Sequence, residues 1–433
     1  MSERERIKFM HNYCKIAEDQ QNSGVSDNLA RNSDDLSEEQ IKYLVENCSE
    51  PLVILNQLKW KILKWDLGDW CSILENEDLP CRCGKNVYSK CPQWETITSK
   101  KVLKISNFVE LRNSKDPKEW IYFDYKYLKD WIINKEKIKK DITWKSFGYP
   151  DLGWQESTIW IGTEGAHTPC HVDTYGCNLV AQVLGRKLWC LFPPNENLLP
   201  TRVPYEESTI FSEMNFFSPQ PNKFKGIESC RKVILNPGDV LFVPHGWWHY
   251  VENLEFAISI NTWLPTDRDE EKRLEESLVK MIMLQFEREL SGDEKKFIII
   301  GDNTRNLSGH QNFKYNLNVT HFCLKSYQNF LDTNKTTQME IRNDATMCSI
   351  EEILRKFRNT LKAVPILSQD EFLEFLEKQR NRFFGNESNQ KTNVSENGNN
   401  SDNDESDKEM VSKVLTAILK PNVINLIKQN LLK

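Results

Sequence analysis

No stretch of about 18 apolar residues occurs in the 433-residue chain, so no single helix is expected to span a bilayer. An apolar leader is also missing. The chain opens Met1-Ser2-Glu3-Arg4-Glu5-Arg6, which predicts no secretory signal. The 12 cysteines follow no framework spacing. Without a leader they are expected to be free thiols in a reducing compartment, cytoplasmic with access to the nucleus. Only Cys81, Cys83 and Cys91 cluster, and their spacing is a poor match to a structural zinc site. Excess positive charge is absent too. Lys and Arg number 57 against 63 Asp and Glu, a net charge of −6. That argues against a general grip on nucleic acid. No internal repeat is visible.

What is present points to a large folded core. Hydrophobic residues make up 39% and charged residues 28%, with 21 Phe, 13 Trp and 12 Tyr. Rings in such number favour big buried cores. A mean hydropathy of −0.60 requires a very polar surface. The length fits two or three domains at most, or one large domain with extensions.

Residues 1–36 are polar and read as a flexible leader with one short helix at most. Ser37-Glu38-Glu39-Gln40 is a capping box, followed by Ile41, Leu44, Val45 and Cys48 at helical spacing. Residues 51–55 read as a short buried strand. Lys135, Lys137, Lys139 and Lys140 form a basic run, more simply a solvated helix face than an RNA patch. From 150 to 265 the pattern changes to short strands at 179–183, 188–192, 240–243 and 257–262. Gly185 suggests a hairpin-like turn between the first two. Many short strands at close spacing predict a double-sheet barrel of the jelly-roll or cupin type.

After Trp263 the periodicity is helical. Leu274, Leu278, Met281 and Ile282 form one stripe. Ser349 and Ser368 open capping boxes that lead into Ile353, Phe357 and Leu361, and into Phe372 and Leu376. Residues 385–408 are rich in Asn, Ser, Asp and Glu, a disordered acidic linker by composition. Residues 409–433 close the chain as one or two amphipathic helices. The expected fold class is a mainly β core with α-helical extensions.

Two of the seven histidines stand in distinctive surroundings. The first lies in His167-Thr168-Pro169-Cys170-His171-Val172-Asp173. On a strand, residues i and i+2 share a face, so His171 and Asp173 can aim at one point. The turn Gly238-Asp239 and the apolar run after it deliver His249 from a neighbouring strand. Two His and one carboxylate on one face of a metal form the facial triad of non-haem Fe(II) oxygenases. The open positions then suit a chelating 2-oxoacid and O2. A buried acidic cosubstrate also needs a cation and hydroxyl donors, for which Lys187 and Thr168 are placed. Asn178 and Asn261 interrupt apolar strands and must find partners, which a ligand can supply.

Residues 160–194 and 237–263 resemble the JmjC (cupin) Fe(II)/2-oxoglutarate oxygenases. The stretches Gly162-Thr163-Glu164-Gly165-Ala166-His167-Thr168-Pro169 and Gly185-Arg186-Lys187-Leu188-Trp189-Cys190-Leu191-Phe192-Pro193-Pro194 carry most of the likeness. Within that family the chain is similar to the group containing the asparaginyl hydroxylase of hypoxia-inducible factor. Residues 167–194, 201–208 and 247–252 are similar to a branch named for association with a small heat-shock protein. The motif core is 150–265 and the whole JmjC domain 37–270, followed by a helical region at 271–384.

The resemblance implies iron held by His171, Asp173 and His249. It implies Lys187 and Thr168, with Tyr122, on the distal carboxylate of 2-oxoglutarate, and Asn178 and Asn261 on the cosubstrate and iron face. No catalytic residue beyond the metal site is implied. One extra residue lies between Asp173 and Asn178 relative to the asparaginyl hydroxylase pattern, and a bulge at Gly176 is expected to absorb it. The implied activity is a dioxygenase that hydroxylates a protein side chain, with a small heat-shock protein as partner in the stress response. Two alternatives stand beside it: a tRNA-base hydroxylase, and a non-catalytic scaffold. His167 and His245 are expected off the metal, Trp247, Trp248 and Trp263 in the core, and Cys170 and Cys177 inert. The helices after residue 266 either pack on the barrel or form a homodimer face.

Overall fold

β-branched and aromatic residues in short runs, separated by Gly and Pro, become strands, most of which stack in two sheets. A computed structural model describes residues 36–114, 118–132, 135–300, 313–337, 350–384 and 402–433. The leader up to residue 35, the cap at Ser349 and residues 385–401 of the linker lie outside these. The strands before the motif core are β1 (Leu52–Ile54), β2 (Leu79–Lys85), β3 (Ser99–Leu103), β4 (Glu119–Tyr127), β5 (Thr143–Trp144) and β6 (Tyr149–Gly153). Within it come β7 (Ser157–Gly162), β8 (His167–Asp173), β9 (Cys177–Leu184), β10 (Lys187–Phe192), β11 (Pro200–Thr201) and β12 (Thr209–Ser212). Then follow β13 (Arg231–Leu235), β14 (Val240–Val243), β15 (Trp248–Asn253), β16 (Ala257–Leu264) and, far downstream, β17 (Leu361–Ala363).

The larger sheet has nine strands in the order β17-β1-β14-β9-β16-β7-β4-β2-β3, and the smaller has six, β11-β12-β8-β15-β10-β13. This is the jelly-roll arrangement, with the core between the sheets. It corrects the reading of Gly185. β9 pairs with β14 and β16, whereas β10 pairs with β13 and β15, so the chain crosses from one sheet to the other instead of forming a hairpin. Gly185 adopts φ +62°, and a Cβ there would sit 2.1 Å from Phe256 O, so the crossover requires glycine. The extra residue before Asn178 is taken up in the β8–β9 turn and not in a strand bulge. Gly176 has φ +68° there, and its N–H donates to Asp269 Oδ1 at 2.8 Å.

The region after 270 is built into the barrel. Leu361 leaves the helix expected for it and pairs with Ile54 on β1, extending the larger sheet. The helix Gln369–Asn381 starts at the Ser368 capping box and buries Phe372 and Leu376 in the barrel core. Just beyond its end, Arg382 pairs with the buried Glu252 on β15, where Tyr250 OH (2.7 Å) and Gln379 Nε2 (2.9 Å) also donate. The helix Asp269–Glu289 buries Leu278, Val279 and Met283 against Leu415, Leu419 and Ile424, so its stripe has a partner within the chain. Met281 and Ile282 lie at the half-buried margin.

One further boundary differs from expectation. The helix Asp402–Ile418 begins inside the compositional linker, because a helix anchored by its packed part around Leu415 extends beyond its apolar stripe. The terminal segment is two helices, within the one or two expected: Pro421 starts the second, Pro421–Leu431, at a position where its missing N–H does no harm. In the basic run, Lys135 pairs with Glu77 at 3.2 Å and Lys139 with Glu136 at 3.1 Å, over a buried Ile138. That is the structural face expected for it.

Candidate metal centre and cosubstrate pocket

His171 and His249 are direct register partners on neighbouring strands β8 and β15. Asp173 follows His171 at i+2 on the same face. Asp173 Oδ1 lies 3.6 Å from His171 Nε2, and Oδ2 lies 3.9 Å from His249 Nε2. One ligand atom from each residue falls within 4.8 Å of the others. His171 Nδ1 is 2.9 Å from Pro169 O, and His249 Nδ1 is 3.1 Å from Trp247 O. A carbonyl only accepts, so each Nδ1 carries the proton and each Nε2 keeps its lone pair for a cation. Burial, then His249, push the His171 pKa down to about 4 against the pull of Asp173, which keeps this imidazole neutral near pH 7. Two imidazoles and a carboxylate on one side suit a metal that must keep open positions. Among the described residues there is no other such group, and Cys81, Cys83 and Cys91 form none.

Lys187, first residue of β10, is buried and reaches across the barrel to the larger sheet. Its Nζ donates to Ser259 Oγ at 2.7 Å and lies 3.4 Å from Tyr122 OH on β4. Among the described residues no carboxylate is paired with it, and burial lowers its pKa to about 7. Tyr122 is held protonated, first by burial and then by Asp124. Thr168 completes this end by hydrogen-bonding to Tyr122. Its presence here needs explanation, because Thr168 is three residues from His171 and strict alternation would turn it away. The β8–β15 register shifts between His249 and Val251, which pairs with Thr168. The bulge brings Thr168 onto the His171 face and sends His167 to the other, where it stacks on Phe217 at 4.0 Å. His245 also stays off the metal, with Nδ1 3.2 Å from Gly176 O.

Asn261 Nδ2 donates to Asn178 Oδ1 at 2.8 Å, and Asn261 Oδ1 accepts from Trp160 Nε1 at 2.8 Å. The structure places His171, Asp173 and His249 together, Lys187 beside Tyr122 and Ser259, and Asn178 beside Asn261. Sequence reasoning missed Ser259, although Ser259, Asn261 and Trp263 alternate along β16 and so share a face. It also placed Trp263 in the core. Trp263 is half-buried, and its Nε1 donates to Asp173 Oδ2 at 3.0 Å, a direct contact with the candidate metal ligand. Arg82 and Asp124, paired at 2.8 Å beside Tyr122, carried no sequence signal.

A family model described as a cupin-like domain matches residues 16–270. The chain belongs to the cupin-like domain family. Among curated relatives, HSPB1-associated protein 1 of Bos taurus is 37% identical over 278 residues, covering 60% of this chain and 57% of the relative. The HSPB1-associated protein 1 homolog of Danio rerio is 40% identical over 263 residues, 57% of this chain and 58% of the relative. Lysine-specific demethylase JMJ30 of Arabidopsis thaliana is 29% identical over 223 residues, 49% of each chain. These matches carry the JmjC likeness of the cupin-like domain. The chain spans a little over half the length of the HSPB1-associated relatives.

Proposed function

We propose that the chain is an Fe(II)- and 2-oxoglutarate-dependent dioxygenase that hydroxylates a protein side chain. The observation that carries this reading is the one-sided convergence of His171, Asp173 and His249 in a barrel that also buries Lys187 with hydroxyl partners and no carboxylate among the described residues. The donor set fits iron(II), and Lys187 lacks the anion it needs. In this reading His171, Asp173 and His249 bind the metal. Lys187, Tyr122, Thr168 and Ser259 bind the distal carboxylate of the 2-oxoacid. Asn178 and Asn261 hold the polar face between them, and Trp263 fixes the Asp173 carboxylate. Bound iron supplies the redox chemistry, in which O2 and 2-oxoglutarate give succinate and CO2 as a substrate C–H becomes C–OH. The protein residues orient the cosubstrate and exclude water at the closed end.

The relatives' names motivate a second element, binding to a small heat-shock protein. The salt bridges of Lys135 and Lys139 weigh against tRNA as the substrate. Calorimetry with Mn(II) in place of iron, without O2, tests the site. The reading expects metal uptake that is lost in Asp173→Ala, and 2-oxoglutarate binding that needs both the metal and Lys187. Unchanged metal uptake in Asp173→Ala contradicts it.

A further inference from the structure

Asn253, the last residue of β15, is fully buried. Neither its Oδ1 nor its Nδ2 has a hydrogen-bond partner among the described residues. Buried amides are nearly always paired, so this one needs an explanation. His249, Val251 and Asn253 alternate along β15 and pair with Leu191, Trp189 and Lys187 on β10. Tyr250 and Glu252 face the other way, where Tyr250 OH donates to Glu252. Asn253 therefore stands opposite Lys187 on the face that carries His249. Its main chain is engaged on the β8 side. Its N–H donates to Ala166 O and its carbonyl accepts from Gly165 N–H, both at 2.9 Å. On the other side Leu254 N–H, one residue on, donates to Arg186 O at 3.0 Å. Lys187 and Asn253 are thus a non-hydrogen-bonded pair, the register that brings two side chains closest.

The amide reaches across the barrel to the larger sheet. Gly162 on β7 pairs there with Tyr122 on β4. A Cβ at Gly162 would lie 2.5 Å from Asn253 Nδ2 and 2.7 Å from Tyr122 Cδ2. Glycine leaves the space that the amide and the phenol ring share. The hydroxyl of that ring is 3.4 Å from Lys187 Nζ. Lys187 does not satisfy the amide, since its Nζ is turned to Ser259 Oγ at 2.7 Å. Among the described residues, one corner of the barrel therefore holds an ammonium without a carboxylate and an amide without any partner. A single anion answers both, because a carboxylate has two oxygens and accepts several hydrogen bonds.

We propose that Asn253 is a further cosubstrate-binding residue, whose side-chain amide donates to the distal carboxylate of the 2-oxoacid beside Lys187. This assignment rests on the oxygenase reading, which supplies the anion. The amide carries no charge, so its contribution does not depend on the protonation of the lysine.

The test is calorimetry on the Mn(II)-loaded full chain without O2. The probes are 2-oxoglutarate and 2-oxobutyrate, a 2-oxoacid with no distal carboxylate. Asn253→Leu removes the amide at similar volume and should weaken 2-oxoglutarate binding about tenfold. Binding of 2-oxobutyrate should stay at the parent's level. Asn253→Ala, which adds no bulk, should show the same selective loss. Asn253→Asp sets a carboxylate against Lys187 in competition with the cosubstrate, and should weaken 2-oxoglutarate more than Asn253→Leu does. Parent-like 2-oxoglutarate affinity in Asn253→Leu or Asn253→Ala overturns the assignment, as the amide would then be held by water alone. An equal loss of both 2-oxoacids overturns it too, since the residue would only shape the barrel. A parent chain that takes up Mn(II) but not 2-oxoglutarate sinks the oxygenase reading along with it, a failure visible without any variant.

Discussion

Lys187 Nζ and Ser259 Oγ meet at 2.7 Å across the gap between the two sheets. The lysine enters from the smaller sheet and the serine from the larger, so this contact bridges the two sheets inside the barrel. A buried cation with only hydroxyl partners is costly. The arrangement makes sense as a receptor for an anion, with the lysine, Tyr122 and Thr168 converging on it.

This has a pH signature. Burial lowers the Lys187 pKa from 10.5 to about 7 in the empty site. The bound carboxylate requires the charged lysine. Below pH 7 the proton is already present, and above it binding must take one up. The 2-oxoglutarate affinity should therefore fall by up to about tenfold per pH unit above 7. Stability of the empty protein should move the other way. Between pH 7 and 10.5 the unfolded chain holds the proton that the folded one has released, so the lysine's penalty is full below pH 7 and fades as pH rises. Lys187→Met should remove the lysine's own contribution to the pH dependence of stability in this window and weaken cosubstrate binding by roughly 10- to 100-fold. Calorimetry and thermal melts from pH 6 to 10 check both.

Trp263→Phe removes the N–H that fixes Asp173 Oδ2. Loss of such an outer hydrogen bond should weaken metal binding by about 10- to 100-fold while the fold persists. Mn(II) titration of the purified variant reads this. Metal affinity equal to the parent would show that Trp263 only packs.

Arg382→Leu leaves Glu252 buried with only Tyr250 and Gln379 as donors. A loss of roughly 2–3 kcal/mol is expected from removing the charged partner. Glu252→Gln with Arg382→Leu should recover part of it. Urea unfolding measures each variant. The His249 strand also carries Glu252, so Arg382→Leu should lower metal affinity as well.

How much of this could be read beforehand follows from which contacts are local. His171 and Asp173 were legible because strand alternation places i and i+2 together. The Ser37 and Ser368 caps were legible because three residues specify each. Thr168 could be named as a hydroxyl donor near His171, but its face could not be read from alternation, since its place depends on a bulge set by the partner strand β15. Gly185 misled because a glycine turn does not say which sheet the next strand joins. The role of residues 361–384 was hidden for a related reason. β17 pairs with β1 some three hundred residues earlier, and no local pattern announces such a partner. Trp263 needed the same cross-sheet knowledge.

The most direct measurement is succinate release by the purified full chain, reconstituted with Fe(II) and supplied with 2-oxoglutarate and O2, beside an Asp173→Ala control. The account predicts succinate formation that depends on iron and O2 and is lost in the control. Succinate formation equal in the control would contradict it, as would none from a parent protein shown to bind both iron and 2-oxoglutarate.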